Sequence, residues 1–149
     1  MQGEDMEPDR IERFRATLRE AGVRVTRQRT EIYREVVRKH DHPDVETIRK
    51  RLRGRMPKLS HDTVYRALSL FARLGLIQRV DTGMDRARYD ANEKRHHHFL
   101  CRNCGTILDF TAPDPCEGCL PKEAGSLGRV ERIRLEVHGV CARCDKTKT

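Results

Sequence analysis

The chain has no tryptophan, and aromatic residues fill only 5% of its 149 positions. Hydrophobic residues reach 36%, so the core they can build is modest and a metal or partner subunit is expected to add stability. No run approaches the roughly 18 apolar residues of a membrane-crossing helix. The opening MQGEDMEPDR lacks the apolar stretch of a secretion signal. These absences argue against a membrane protein and lead us to expect a cytoplasmic, reducing environment. In such a setting Cys-x-x-Cys pairs read as metal ligands before disulfides.

Charge and cysteine are plentiful and unevenly placed. The formal net charge is +8, and residues 1–95 carry 23 Lys and Arg against 16 Asp and Glu. Residues 96–149 are nearly balanced, yet hold all six cysteines and four of the seven histidines. A basic front half suits a phosphate backbone, because each neutralised phosphate releases counterions. Charge alone fits a solvated helical surface equally well.

Periodicity organises the front half. Ile11, Phe14 and Leu18 lie on one helical face that ends at Ala21-Gly22. Thr26 caps a second helix with Ile32, Val36 and Val37 inward, and Pro43-Asp44 opens a third with Val45, Ile48 and Leu52. Ser60 caps a fourth, to about Leu74, burying Val64, Ala67, Leu68, Phe71 and Leu74 and presenting Asp62, Tyr65, Arg66, Ser69 and Arg73 outward. Residues 77–80 and 86–89 read as a basic hairpin around Gly83. Three helices, a recognition helix and a hairpin describe a winged helix-turn-helix, whose recognition helix enters the major groove of DNA.

A polar hinge over 90–95 follows. Beyond it, His96–Leu100 and Thr106–Phe110 read as strands around a cysteine knuckle, residues 120–127 as a short helix, and Val130–Val140 as a strand alternating Ile133, Leu135 and Val137 with polar residues. Cys101-x-x-Cys104 and Cys141-x-x-Cys144 each let two thiolates face one point, and two such pairs complete a tetrahedron for a structural zinc ion. Free or redox-active thiols are the alternative. A third pair, Cys116-x-x-Cys119, lies among Pro113, Pro115 and Pro121, and an accessory or inert role suits it best. On a strand His96 and His98 point the same way, and Asp109 on the next strand can reach them. Imidazoles with a carboxylate suit Fe, Mn, Zn or Ni. The competing interpretation is a solvated histidine run, and it is favoured for His138, His40 and His61.

Several segments together resemble the ferric uptake regulator family. They are Gly22-Val23-Arg24-Val25-Thr26-Arg27-Gln28-Arg29, His42-Pro43, Asp62-Thr63-Val64-Tyr65-Arg66, Arg88-Tyr89-Asp90, His96-His97-His98-Phe99-Leu100-Cys101, Cys104-Gly105, Asp109-Phe110 and Gly139-Val140-Cys141. The resemblance runs from residue 10 to 145. It implies an α+β fold: a winged-helix DNA-binding domain over 1–89, the hinge, and a small α/β zinc-containing dimerisation domain over 96–149. It places structural Zn2+ on Cys101, Cys104, Cys141 and Cys144, and a regulatory Fe2+ or Mn2+ on His42, Asp90, His96, His98 and Asp109. It assigns DNA contacts to Tyr65 and Arg66, supported by Arg24 and Arg29. It also implies a homodimer that represses transcription from double-stranded operator DNA when the regulatory metal is bound.

Within the family, Asp109 in place of a usual Glu, His97 in place of an Asp and Ile133 in place of a His resemble the peroxide-sensing branch. Hydrogen peroxide is then the expected signal, and iron-uptake, zinc, manganese and nickel regulators are the alternatives. Outside the family, a metallohydrolase lacks a catalytic motif beside the histidines. A zinc-ribbon adaptor leaves the basic winged-helix half unexplained.

Overall fold

The computed structural model describes residues 7–84, 86–112, 122–131 and 135–146. The chain divides into two compact units, Met1–Glu93 and Lys94–Thr149. Among the described residues no helix is long and apolar enough to cross a membrane.

The first unit is built from capped amphipathic helices. Helix α1 spans Glu7–Glu20, and Gly22, at φ +69°, lets the chain turn so that Val23 N–H reaches the Leu18 carbonyl at 2.7 Å. Helices α2 (Arg27–Arg38), α3 (Val45–Leu52) and α4 (His61–Arg73) start at Thr26, Asp44 and Ser60. Each cap side chain accepts a backbone N–H of the first turn, at 3.3, 2.7 and 3.1 Å respectively. Strands β1 (Gln78–Val80) and β2 (Arg88–Asp90) form an antiparallel wing.

Three rings hold the helices together. Phe14 of α1 stacks on Tyr33 of α2 at 4.3 Å between centroids, and both meet Phe71 of α4 edge-on, at 5.1 and 5.8 Å. Offset and edge-to-face pairs of this kind add about 0.5–1.5 kcal/mol each beyond area burial. A chain poor in aromatics has thus concentrated them at one crossing point. Asp90, expected in the hinge, is instead the last residue of β2, opposite Gln78.

The second unit is a three-stranded sheet of order β4-β3-β5, with β3 at His97–Cys101, β4 at Ile107–Phe110 and β5 at Glu136–Gly139. Strand β3 is antiparallel to β4 and parallel to β5. Helices α5 (Lys122–Ser126) and α6 (Ala142–Asp145) complete it. Of the strand expected over 130–140, the described residues show Glu136–Gly139, opposite His98–Cys101 of β3. At Leu135 the backbone N–H goes to the His97 ring at 3.2 Å rather than into the ladder. Cys116, Cys119 and Ile133 lie outside the described residues.

Candidate metal centres and nucleic-acid face

The apolar cluster of the second unit is itself a set of cysteines. Cys101, Cys141 and Cys144 are buried, with Phe99 and Val140 packed against them. The four sulfurs of Cys101, Cys104, Cys141 and Cys144 lie within 4.8 Å of one another. Cys104 and Cys141 are 3.8 Å apart, sulfur to sulfur. That is the edge of a tetrahedron whose corners each lie about 2.3 Å from a central zinc, about 3.8 Å, and far beyond a disulfide bond.

Local backbone explains the convergence. Cys101 ends β3, the 101–104 turn closes with Gly105 N–H on the Cys101 carbonyl at 2.8 Å, and Gly105 has φ +69°. Beside Cys101 in the parallel ladder is Gly139, where a Cβ would stand 2.9 Å from the Phe99 ring. Cys141 then caps α6, and its N–H points at the Cys101 sulfur at 3.3 Å.

The electrostatics favour the thiolate at Cys101 and Cys104 and oppose it at Cys144. Backbone N–H groups of Cys141 and Cys104 hold the Cys101 thiol below its usual range. The Thr106 N–H, helped by the neighbouring thiols, brings Cys104 down to about 6. Cys144 goes the other way, to about 11: the Asn103 side chain lowers it, but the sulfurs of Cys104 and Cys141, with burial, outweigh that contact. The Arg143 guanidinium donates to Cys104 and is itself pushed up by the cluster's negative charge. A dipositive ion resolves the crowding of four thiolates, so the donor set fits zinc.

The same sheet carries a second set of donors. His98 lies directly opposite Asp109 in the β3–β4 register. The Nε2 atoms of His96 and His98 are 3.0 Å apart, and Asp109 Oδ1 lies 3.8 and 3.5 Å from them. Two nitrogens each about 2.1 Å from one ion, at right angles about it, are about 3.0 Å apart. The His96 Nδ1–H donates to the Lys94 carbonyl at 2.6 Å, which leaves the Nε2 lone pair for a metal. A borderline divalent ion fits this nitrogen and oxygen set.

His97 does different work. Its ring packs on Phe110 at 5.5 Å and its Nδ1 accepts the Leu135 N–H. It joins β4 to the entry of β5, a role that alternation alone did not reveal. His138 is exposed and pairs with Glu136 at 2.6 Å, as a surface histidine would.

The remaining predicted ligands lie in the first unit. His42 has φ +48° immediately before Pro43, a conformation few non-glycine residues adopt and one that must be held by its surroundings. Arg88 Nη1 donates to the His42 carbonyl at 3.3 Å, and Tyr89 N–H to the Pro43 carbonyl at 3.1 Å. Arg86 meets Asp44 at 3.5 Å. These contacts bind the 42–44 loop to β2, so that His42 Nε2 stands 3.9 Å from Asp90 Oδ1. Sequence reasoning found the pair but not the arginines that join them.

The α4 face matches its expected exposure. Tyr65 is 45% exposed, and Arg66 projects with its Nε 2.8 Å from Asp62. Arg29 and Arg66 line one surface cleft of about 290 Å3 between α2 and α4, with Thr26, Gln28, Asp62 and Thr63. Arg29 also donates to the Arg24 carbonyl, which braces the loop where Arg24 stands exposed.

Comparison with known proteins decides the lineage. The family model described as "Ferric uptake regulator family" matches residues 20–138. The chain belongs to the ferric uptake regulator family. Among members of this family it is similar to the peroxide operon regulator of Bacillus subtilis (strain 168), with 39% identity over 132 residues, 87% of this chain and 90% of that one. It is also similar to the structure of PerR from Streptococcus pyogenes, a protein of peroxide sensing and gene regulation. There the identity is 28% and the TM-score 0.52, covering 90% of this chain and 92% of that one. The Helicobacter pylori ferric uptake regulator Fur, at 22% identity and TM-score 0.84 over the full length of both chains, shows the shared α+β fold.

Proposed function

We propose that this protein is a metal-dependent transcriptional repressor that senses peroxide, and that it regulates rather than catalyses. The observation that carries the reading is the convergence of His96, His98 and Asp109 on one point of the sheet, in a chain 39% identical to a peroxide operon regulator. In this reading the four cysteines hold a structural Zn2+. His42 and Asp90 join His96, His98 and Asp109 around a regulatory Fe2+ or Mn2+. Exposed Leu108, Leu127, Val130 and Leu135 on the second unit supply an apolar surface for a homodimer.

An ion held by donors of both units restricts their relative orientation. In a dimer that restriction spaces two α4 helices about one DNA turn, roughly 34 Å, apart. Tyr65 and Arg66 then read base edges, while Arg24 and Arg29 contact the backbone. Converting a mostly open population into a mostly closed one needs roughly 5.5 kcal/mol of differential affinity, a scale within reach of one or two recruited ligands.

Fe2+ held by these donors would activate hydrogen peroxide beside the imidazoles, chemistry that Mn2+ does not readily drive. His42 or His96 would take up one peroxide oxygen and supply the two electrons with which the other oxygen leaves as water, and the oxidised ring would be a poorer ligand. The regulator releases its operator, and the site of its action is the cytoplasm.

The test uses protein purified without oxygen and loaded with Fe2+. Peroxide should add a single oxygen at His42 or His96 and abolish operator binding, and the Mn2+ form should resist both. Operator loss without an adduct at either histidine contradicts the peroxide reading. An iron-loaded form that stays bound and unmodified favours iron-uptake regulation.

A further inference from the structure

The chain leaves the first unit under restraint. Arg10 of α1 is 7% exposed, and an arginine so buried persists only where acceptors surround it. Its guanidinium donates to the Ala91 carbonyl, its Nε lies 3.5 Å from Glu93 Oε1, and the Tyr33 hydroxyl lies beside it. One turn on, Arg13 Nη2 lies 3.2 Å from Glu93 Oε2. Between these contacts the Asn92 N–H donates to Asp90 Oδ1 at 2.8 Å. Every residue from Asp90 to Glu93 is therefore tied to β2 or α1, although the composition of this stretch reads as a free polar hinge.

We propose that Arg10, with Arg13, is a positioning residue for metal sensing: it latches Ala91 and Glu93 onto α1 and removes slack from the connection that leads to His96. This rests on the functional reading above, in which His42 and Asp90 share an ion with His96. With Glu93 held, three Cα steps lead to His96, a reach of about 10 Å. With the latch open six steps lead from Asp90, about 21 Å. The effective concentration of one half-site at the other falls as roughly the −3/2 power of linker length, about threefold here, and more steeply where the short tether also fixes direction. Lys94 is restrained from the far side as well, its carbonyl accepting from the His96 ring. The metal response is thus set partly by two arginines that never touch the ion.

Glu93→Ala tests this without threatening the fold, since that side chain is 45% exposed. Arg10→Met, which keeps the stem and removes the donors, is the second variant. Two readouts use the zinc-loaded full chain. One is the rate of trypsin cutting after Lys94 and Arg95 in protein without Mn2+. The other is the Mn2+ concentration for half-maximal operator binding. Both variants should be cut faster at the linker and need about three- to tenfold more Mn2+, with operator affinity at saturating Mn2+ within about twofold of the parent. Unchanged cutting in both variants overturns the latch. Faster cutting with an unchanged Mn2+ midpoint overturns its part in sensing. Should the parent itself bind its operator without regard to Mn2+, the functional reading falls, and the latch is judged on the cutting rates alone.

Discussion

His98 and Asp109 face each other across the β3–β4 ladder with Nε2 and Oδ1 3.5 Å apart. A cross-strand pair keeps this spacing as long as the register holds, so the pair is preorganised for an ion rather than assembled by one.

Asp109→Ala should therefore lower Mn2+ affinity by about 100-fold or more, while the zinc content stays at one per chain. Metal analysis of dialysed protein reads both quantities at once. Loss of zinc together with manganese would show that the two centres are not separate.

Gly139→Ala addresses the cysteine centre from outside its ligands. The added Cβ would stand 2.9 Å from Phe99 Cζ, so β5 or the Phe99 ring must move, and Cys141 is two residues on. The expected cost is about 1–3 kcal/mol of stability and faster loss of zinc to a chelator. A variant that melts and holds zinc like the parent would contradict this packing.

The acid limb of stability should carry the mark of Asp44. Burial raises its carboxyl, but the Thr47 hydroxyl and N–H, with Arg88 and Arg86, outweigh that and hold it below its ordinary value. A depressed carboxyl contributes stability that is complete above its unfolded pKa, near 4, and is lost as pH falls through the lower folded value. Asp44→Ala should cost about 1 kcal/mol at neutral pH and less as the pH approaches 2. Melting curves from pH 2 to 7 measure it, and an equal deficit at every pH would refute the assignment.

Arg66→Ala should lose about 1–3 kcal/mol of operator discrimination, with metal content unchanged. Arg24→Ala should weaken specific and non-specific duplexes alike and flatten the salt dependence. Footprints of both variants matching the parent would remove α4 as the reading element.

The elements that periodicity governs were legible in the sequence. Thr26 and Ser60 cap the helices they were expected to cap, Asp44 caps the helix that Pro43-Asp44 was expected to open, and the cysteine and histidine spacings picked out side chains that the fold brings together. Less legible was whatever depended on long-range partners. That β5 pairs in parallel with β3 is announced by no property of residues 130–140. The role of His97 was not legible, because the sequence does not show Leu135 arriving beside its ring. Arg10, Arg86 and Arg88 looked like members of a solvated basic surface, since their acceptors are the backbone carbonyls of Ala91 and His42 and the carboxylates of Glu93 and Asp44, brought near only by folding.

The central claim is that the histidine-centred ion, separately from the zinc, sets DNA affinity. Its most direct test compares operator affinity for zinc-loaded protein stripped of the second metal with the same protein saturated in Mn2+. The account predicts tightening of at least about tenfold on Mn2+ addition, lost in His42→Ala. Equal affinity of the stripped and loaded forms would contradict it.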